Sequence, residues 1–294
     1  MGEVGMVFLN GKLLPLEQAS VSVLDRGFIF GDGVYELVPV YSRVPFRLDE
    51  HLERLERSLA AVAIRNPYSR AQWRSHAHAI IDAQPHEDQG VYFQVTRGVA
   101  KRDHAFPKEA EPTVFMMASP LVNPPQAQVE AGAAAVSAQD FRWLRCDIKS
   151  ISLLGNVLLR QLSAQAGAAE TILFRDGKLT EASASNVFIV QRGVVVAPPK
   201  SSFILPGITY DVVVELARAN GMPLELREVA EAEVRAADEI WVTSSSKEVL
   251  AIVSLDGQPV GDGRPGPSFW RMYRLYQEFK QKVMRAGKRE AVSA

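Results

Sequence analysis

The chain has 294 residues, 47% of them hydrophobic and 23% charged, which is the make-up of a globular protein long enough for one large domain or two medium ones. Its 33 basic and 34 acidic residues leave a net charge of -1, so it carries no electrostatic footprint for nucleic acid or a membrane surface. A single cysteine, Cys146, excludes an intrachain disulfide and suits a reducing compartment. There is no basic-then-apolar leader and no run of about 18 apolar residues, so the expected location is the cytoplasm.

Val7-Phe8-Leu9 and Lys12-Leu13-Leu14 flank Asn10-Gly11, a hairpin signal because Asn-Gly accepts the positive φ angles of a tight turn. Val21 to Leu24 reads as a short strand. A glycine-rich stretch follows, Asp25-Arg26-Gly27 through Gly31-Asp32-Gly33 to Tyr35-Glu36, where glycines suggest close approach of backbone. Leu37 to Tyr41 continues as strand, with Pro39 pointing to an edge or bulge. Leu48, Leu52, Leu55, Leu59 and Val62 recur at helical spacing from an Asp49 cap. Arg54 lies off that apolar stripe, and periodicity alone places it on a solvated face. A second helix is expected over Arg70 to Ala83. His76 and His78 on it are two residues apart, face different ways and do not make a metal site.

Val91 to Arg97 is a strand, followed by a loop from Gly98 to Pro107 that contains Lys101-Arg102-Asp103-His104. Thr113 to Ala118 is a further strand, and the proline-rich stretch Pro120 to Gln128 reads as a linker. Beyond it, strands are expected near Ala133 to Val136 and over Arg142 to Ile148, with Lys149 where the latter gives way to a polar turn. A lysine presented from rigid backbone can lose its proton and attack a carbonyl to form a Schiff base. Taken alone, though, a lysine is ordinarily a solvated surface group.

A helix over Ser152 to Ala166 comes next. Strands follow at Thr171 to Phe174 and Lys178 to Glu181 around Asp176-Gly177, then at Asn186 to Val190 and Val194 to Ala197 around Arg192-Gly193. Leu205-Pro206-Gly207-Ile208-Thr209 leads into a helix from Tyr210 to about Ala219. Glu239 to Thr243 is a strand ending in Ser244-Ser245-Ser246, and Ile252 to Val260 forms a hairpin around Asp256-Gly257. The last helix runs from Phe269 to Val283, and the basic tail after it reads as frayed. Gly261-Asp262-Gly263-Arg264-Pro265-Gly266 matches GxGxxG, but Pro265 and the missing strand downstream make it a turn-rich connector rather than a dinucleotide site. Hairpins with interspersed helices, rather than strict βαβ alternation, indicate an α+β fold of two domains with mostly antiparallel sheets and flanking helices.

Several of these segments carry a resemblance. They are Asp25-Arg26-Gly27, Phe30-Gly31-Asp32-Gly33-Val34-Tyr35-Glu36, Glu50-His51-Leu52-Glu53-Arg54-Leu55, Lys149, Thr180-Glu181-Ala182-Ser183-Ala184-Ser185-Asn186-Val187-Phe188, Gly207-Ile208-Thr209 and Val242-Thr243-Ser244. In this order the chain resembles the class IV aminotransferases, which are fold type IV among pyridoxal phosphate enzymes. That family includes D-amino acid aminotransferases, branched-chain aminotransferases and aminodeoxychorismate lyases. The resemblance implies an N-terminal α/β domain over 1–120, a linker over 121–132 and a C-terminal cofactor-binding domain over 133–294. It makes pyridoxal 5′-phosphate the cofactor and Lys149 its Schiff-base lysine and proton shuttle. Glu181 becomes the partner of the ring nitrogen, and Arg54, Ile208, Thr209, Ser244 and Ser245 the phosphate donors. Leu205 packs on the ring, and Ser185 lies in the cofactor-binding run.

Arg102-Asp103-His104 resembles the Arg-x-His loop of the D-amino acid branch. There the arginine and histidine, with the tyrosine matching Tyr35, bind the substrate α-carboxylate, and the loop reaches into the partner subunit. A homodimer is thereby implied, with D-amino acid and 2-oxo acid substrates and a ping-pong route through pyridoxamine phosphate. The alternatives within the family are a branched-chain L-amino acid aminotransferase and an aminodeoxychorismate lyase-type enzyme, neither of which is expected to keep that loop, with an (R)-amine aminotransferase as a further variant. Ala184 departs from the serine run of the D-specific branch, and tuning rather than loss of activity is expected from it.

Overall fold

In the computed structural model, which describes residues 5–286, the first hairpin forms around Asn10-Gly11. Both residues take positive φ, 47° and 89°, as a type I′ turn requires. The hairpin comprises β1 (Met6–Leu9) and β2 (Lys12–Pro15). Next come α1 (Arg26–Phe30), β3 (Gly33–Tyr41), β4 (Val44–Pro45), α2 (Leu48–Ala61), α3 (Arg70–Asp82), β5 (Gln89–Thr96) and β6 (Thr113–Pro120). The six strands form one antiparallel sheet in the order β2-β1-β6-β5-β3-β4. Pro39 is tolerated inside β3 because β4 pairs only with Val40 and Tyr41. Leu52, Leu55 and Leu59 of α2 and Trp73, Ala77, Ile80 and Ile81 of α3 bury against Val38, Val91, Phe93 and Val95.

Three local readings change. Val21 to Leu24 is a turn with Val21, Val23 and Leu24 exposed, not a strand. α2 starts one residue earlier than its expected cap: Arg47 occupies the N-cap with a left-handed φ of 51°, and Asp49 and Glu50 lie in the first turn, where their charge favours the helix dipole. α1 was read only as a glycine-rich stretch. Asp25 caps it by accepting from the Gly27 N–H at 2.7 Å.

The chain divides into two units. The first takes the described residues up to Leu121, with Ile148–Leu153 and the described residues from Lys282 on; the second takes Val122–Asp147 and Leu154–Gln281. Lys149 therefore belongs with the first unit, whereas the sequence reading puts it in a domain over 133–294. The reason is Ile148, which buries in the first unit's core.

The second unit contains α4 (Gln126–Ala131), β7 (Ala133–Gln139), α5 (Leu154–Gln165), β8 (Glu170–Arg175), β9 (Lys178–Ala182), β10 (Asn186–Gln191), β11 (Val194–Ala197), α6 (Ile208–Ala219), β12 (Leu224–Leu226), α7 (Glu231–Arg235), β13 (Glu239–Ser244), β14 (Glu248–Leu255), β15 (Gln258–Pro259) and α8 (Pro267–Phe279). Its mixed sheet has the order β12-β11-β10-β13-β14-β7-β8-β9, with β15 on β14. Pairing is parallel at β11/β12, β14/β7 and β7/β8, and antiparallel elsewhere. Ile172, Phe174, Val187, Ile189, Ile240, Val242 and Leu250 make its core.

The expected strand over Arg142 to Ile148 is absent, and that segment is irregular. The expected linker is partly helical, as α4. Gly261 to Gly266 runs as turns into α8. The tail is tied down at its start, where Arg285 pairs with Asp88 and bonds Ser42; its remainder, 287–294, lies outside the described residues. Among the described residues no helix is long and apolar enough to cross a membrane.

Candidate active site

Lys149 sits on the irregular segment after Cys146, laid against the start of β3. Its carbonyl accepts from the Tyr35 N–H at 2.9 Å, Ser150 bridges to Val34, and its own N–H donates to Ser58 Oγ at 3.3 Å. With Ile148 and Ser150 buried on either side, the half-buried side chain is directed by fixed backbone. Its Nζ lies 4.2 Å from the centre of the Tyr35 ring, and that ring stacks on Tyr92 at 5.6 Å.

Around Lys149 the first unit buries a charged cluster. Glu36 on β3 is fully buried (0% exposed) and accepts from Arg54 Nε at 2.7 Å and Arg54 Nη2 at 2.8 Å. His51 Nδ1 lies 2.8 Å from Glu36 Oε2. Burial alone would raise the Glu36 carboxyl, but Arg54 and then His51 outweigh it and hold the group well below the usual glutamate range. Burial lowers the proton affinity of His51, with the charges of Arg54 and Lys149 adding to it against Glu36. A neutral imidazole facing an ionised carboxylate donates through Nδ1–H. Its Nε2 is buried without a hydrogen-bond partner. Arg54 is therefore not on a solvated face, as periodicity suggests; it is 4% exposed.

His51, Arg54 and Ser58 follow one another at three and four residues, a polar stripe beside the leucine stripe of α2. That spacing is a readable signal for Glu36's partners, which the sequence reading did not use.

In the second unit Glu181 is the penultimate residue of β9 and is 5% exposed. Its Oε1 accepts from Arg142 Nη1 at 2.6 Å, and its Oε2 from the Leu205 N–H at 3.0 Å and Asn186 Nδ2 at 3.3 Å. Arg142 spends Nε and Nη2 on Asp140, each at 2.9 Å, so its charge is shared between two carboxylates. Burial therefore prevails and pushes Glu181 up to about 7, against Arg142 and the Leu205 N–H. Arg142 was missed because Glu181, on β9, lies far along the chain; its other partner, Asp140, is two residues back, just past β7.

Leu205 is half-exposed rather than core, with its N–H committed to Glu181. Gly207, at the N-cap of α6, offers no side chain to the first turn, and a Cβ there would lie 2.1 Å from Asn186 Oδ1. The backbone N–H groups at Ile208 and Thr209 thus open a helix of twelve residues that carries no capping side chain.

Ser244 and Ser245 are half-buried at the β13–β14 turn, where Ser244 Oγ accepts from the Lys247 N–H at 3.1 Å. Ser185 is buried and gives its hydroxyl to Glu170 at 2.7 Å, and Ser183 does the same at 2.5 Å. Lys247 Nζ meets Glu170 at 3.0 Å, so this buried carboxylate ties the Ser183–Ser185 turn to the Ser244–Lys247 turn. Ala184 is exposed at the tip between them.

Arg102 and His104 are exposed on their loop, and both lie on the Phe30 ring, each at 5.4 Å. Among the described residues neither bonds nor stacks with Tyr35 or Lys149 of the same chain. No group of three His, Cys, Asp or Glu among the described residues could hold a metal.

The donor set fits pyridoxal 5′-phosphate. The first unit supplies an amine on rigid backbone. The second supplies a carboxyl poised near neutrality that a ring N–H would complete, and a helix start with no capping side chain, open to an anion.

Comparisons with known proteins agree. The family described as amino-transferase class IV matches residues 33–255. The chain is 41% identical to the D-alanine aminotransferase of Bacillus licheniformis over 89% of this chain and 92% of that one. It is 38% identical to the D-alanine aminotransferase of Listeria monocytogenes (strain 10403S), over 95% and 96%. Among solved structures, the branched-chain aminotransferase of Thermoproteus uzoniensis with norvaline superposes with a TM-score of 0.87 at 25% identity, covering 96% of this chain and 97% of that one. The branched-chain amino acid aminotransferase of Escherichia coli gives 0.86 at 23%, over 99% and 100%, a likeness of fold.

Proposed function

The chain belongs to the class IV aminotransferases, pyridoxal 5′-phosphate enzymes of fold type IV, and on that premise we propose that it transaminates D-amino acids, carrying the amino group of D-alanine to 2-oxoglutarate. The observation that carries this reading is the pair Arg102 and His104, presented outward from one aromatic ring. A guanidinium there grips an α-carboxylate with two parallel N–H bonds, which fixes orientation as well as charge. The D-alanine aminotransferases to which the chain is similar support the choice of substrate.

Bound pyridoxal phosphate supplies the aldehyde that takes the amino group and a ring that accepts electrons from the Cα–H bond. Glu181 would hold the ring nitrogen, its carboxyl fixed by Arg142, Asn186 and the Leu205 N–H. Arg54, the N–H groups of Ile208 and Thr209, and Ser244 and Ser245 are the groups that would hold the phosphate. Leu205 would pack on the ring, and Ser185 shapes the adjoining turn through Glu170. Lys149 Nζ would carry the proton from Cα to the cofactor carbon that bears the nitrogen, and in the opposite direction in the second half-reaction. Tyr35, beside Lys149, completes the carboxylate site with Arg102 and His104. That those two do not bond or stack with Lys149 of their own chain supports a homodimer in which they serve the partner's site.

A homodimer also accounts for the apolar surface of α5, where Leu154, Val157, Leu158 and Leu162 are all exposed. A cytoplasmic location suits Cys146, a lone buried thiol pushed up to about 11 by burial.

The test is a half-reaction titration followed by cofactor absorbance. D-alanine should convert the cofactor at concentrations where L-leucine and (R)-1-phenylethylamine do not. Preferential conversion by L-leucine would assign the chain to the branched-chain enzymes, and no conversion by any of them would remove the enzymatic reading. Lys149→Ala should cut turnover by about 10³-fold or more.

A further inference from the structure

The motif Asp25-Arg26-Gly27, followed by Phe30-Gly31-Asp32, has no part in the chemistry above. Yet Arg26 is 3% exposed, a costly place for a cation that does nothing. Its Nε donates to Asp32 Oδ2 at 2.7 Å. Its Nη1 donates to the carbonyls of Asp103 at 2.5 Å and Ala105 at 3.4 Å, the two residues that flank His104. Asp32 is in turn held by Arg97, from Nε at 2.8 Å and Nη2 at 3.0 Å. Arg97 also donates to the Ala63 and Val62 carbonyls at the end of α2, at 2.8 and 2.7 Å, and the Phe106 ring lies 3.7 Å from its guanidinium carbon.

Backbone bonds join the same two stretches, Arg26 N–H to the Gly98 carbonyl at 2.9 Å and Ala100 N–H to the Leu24 carbonyl at 3.3 Å. The Phe30 ring collects Arg26 at 4.8 Å together with Arg102 and His104. The conformation of α1 that sets all this is itself fixed, since Asp25 also accepts from Thr96 and Thr113 hydroxyls at 3.0 and 2.6 Å.

We infer that Arg26, with Asp32, Arg97 and Phe30, is a set of positioning residues that holds the Arg102–His104 loop as a preformed carboxylate trap. This rests on the trap role given to Arg102 and His104 above. An exposed loop that had to be ordered on each encounter would lose affinity to that ordering. Here the loop backbone is anchored at both flanks of His104, and the two recognition side chains are left exposed. The fork of a guanidinium is needed because it reaches a carboxylate along one edge and two carbonyls from the other nitrogen; a lysine amine cannot span both.

Three variants test this in the cofactor-loaded protein: Arg26→Gln, Phe30→Leu and, as the reference, Arg102→Ala. Propionate, a carboxylate with no amino group to transfer, is the equilibrium probe, and D-alanine the kinetic one. Arg26→Gln should keep the cofactor absorption band, weaken propionate binding and raise the KM for D-alanine by about tenfold or more, with a smaller change in kcat. Phe30→Leu should move the same two quantities in the same direction, and it decides the matter if Arg26→Gln loses the band through misfolding.

If Arg102→Ala weakens propionate and a folded Arg26→Gln or Phe30→Leu binds it as the unaltered protein does, the positioning role is wrong and the trap stands. If Arg102→Ala itself leaves propionate binding unchanged, the trap lies elsewhere and both readings fall.

Discussion

Glu36 in the first unit and Glu181 in the second are both buried, and each accepts hydrogen bonds from an arginine. Their proton affinities nevertheless diverge. Arg54 gives Glu36 two bonds, His51 meets it as well, and the carboxyl is held well below its ordinary range despite burial. Arg142 gives Glu181 one nitrogen and turns the rest toward Asp140, so burial lifts Glu181 to about 7. An arginine contact therefore does not by itself say what a buried carboxylate is for. Glu36 has its full complement of charge and serves as scaffold, fixing Arg54 and His51 of α2. Glu181 is under-compensated, which is the condition of a group left for a ligand to complete.

The sharpest way to break this comparison is to remove the scaffold carboxylate. Glu36→Gln leaves the Arg54 charge buried without its anion, and unfolding by urea should show a loss of about 3–5 kcal/mol. A loss below about 1 kcal/mol would mean that Arg54 finds other compensation, and Glu36 would lose its status as scaffold.

The next effect is pH dependence, where the two carboxyls have opposite signs. Glu36, held low, contributes stability that is present above the ordinary glutamate pKa and lost as pH falls below it. Glu181, lifted from 4.5 to about 7, binds its proton more tightly folded than unfolded, so its contribution is full below pH 4.5 and is lost as pH rises to about 7. In cofactor-free protein, raising the pH across that window should cost the unaltered chain about 3 kcal/mol more stability than Glu181→Gln. Equal losses in the two proteins would place Glu181 at an ordinary pKa.

A smaller effect tests the shared arginine. Arg142→Met removes the main charge that opposes burial, so the apparent pKa of Glu181, read from the same stability difference, should rise by about one unit. A fall would show that Arg142 does not act on Glu181 electrostatically.

What was legible in the sequence follows the range of the interactions that fix it. The hairpin turns at Asn10-Gly11, Asp176-Gly177, Arg192-Gly193 and Asp256-Gly257 were readable because their positive φ values depend on those residues alone. The helices α2, α3, α5 and α6 were readable from apolar spacing. Arg142 to Ile148 was misread as strand because Trp143, Leu144 and Ile148 favour one locally. What fixes that stretch is largely distant: Arg142 bonds Glu181 as well as its near neighbour Asp140, and the Cys146 N–H donates to the Ser202 carbonyl. β12 was invisible because three residues pair in parallel with β11 from across α6. The site residues that resemblance supplied, Lys149, Glu181 and Arg54, sit on ordered, largely buried backbone. Those that it did not supply, Glu36, Arg142, Glu170 and Arg26, act by holding other residues, and only coordinates display such partnerships.

The central claim is that the deficit at Glu181 is matched by the cofactor's ring nitrogen. It is tested most directly by loading the protein with pyridoxal phosphate labelled with nitrogen-15 in the ring and recording the nitrogen shift across neutral pH. The account predicts a protonated-ring shift that persists through pH 7 and gives way to the neutral-ring value in Glu181→Gln. A neutral-ring shift in the unaltered protein, or one indifferent to Glu181→Gln, would contradict it.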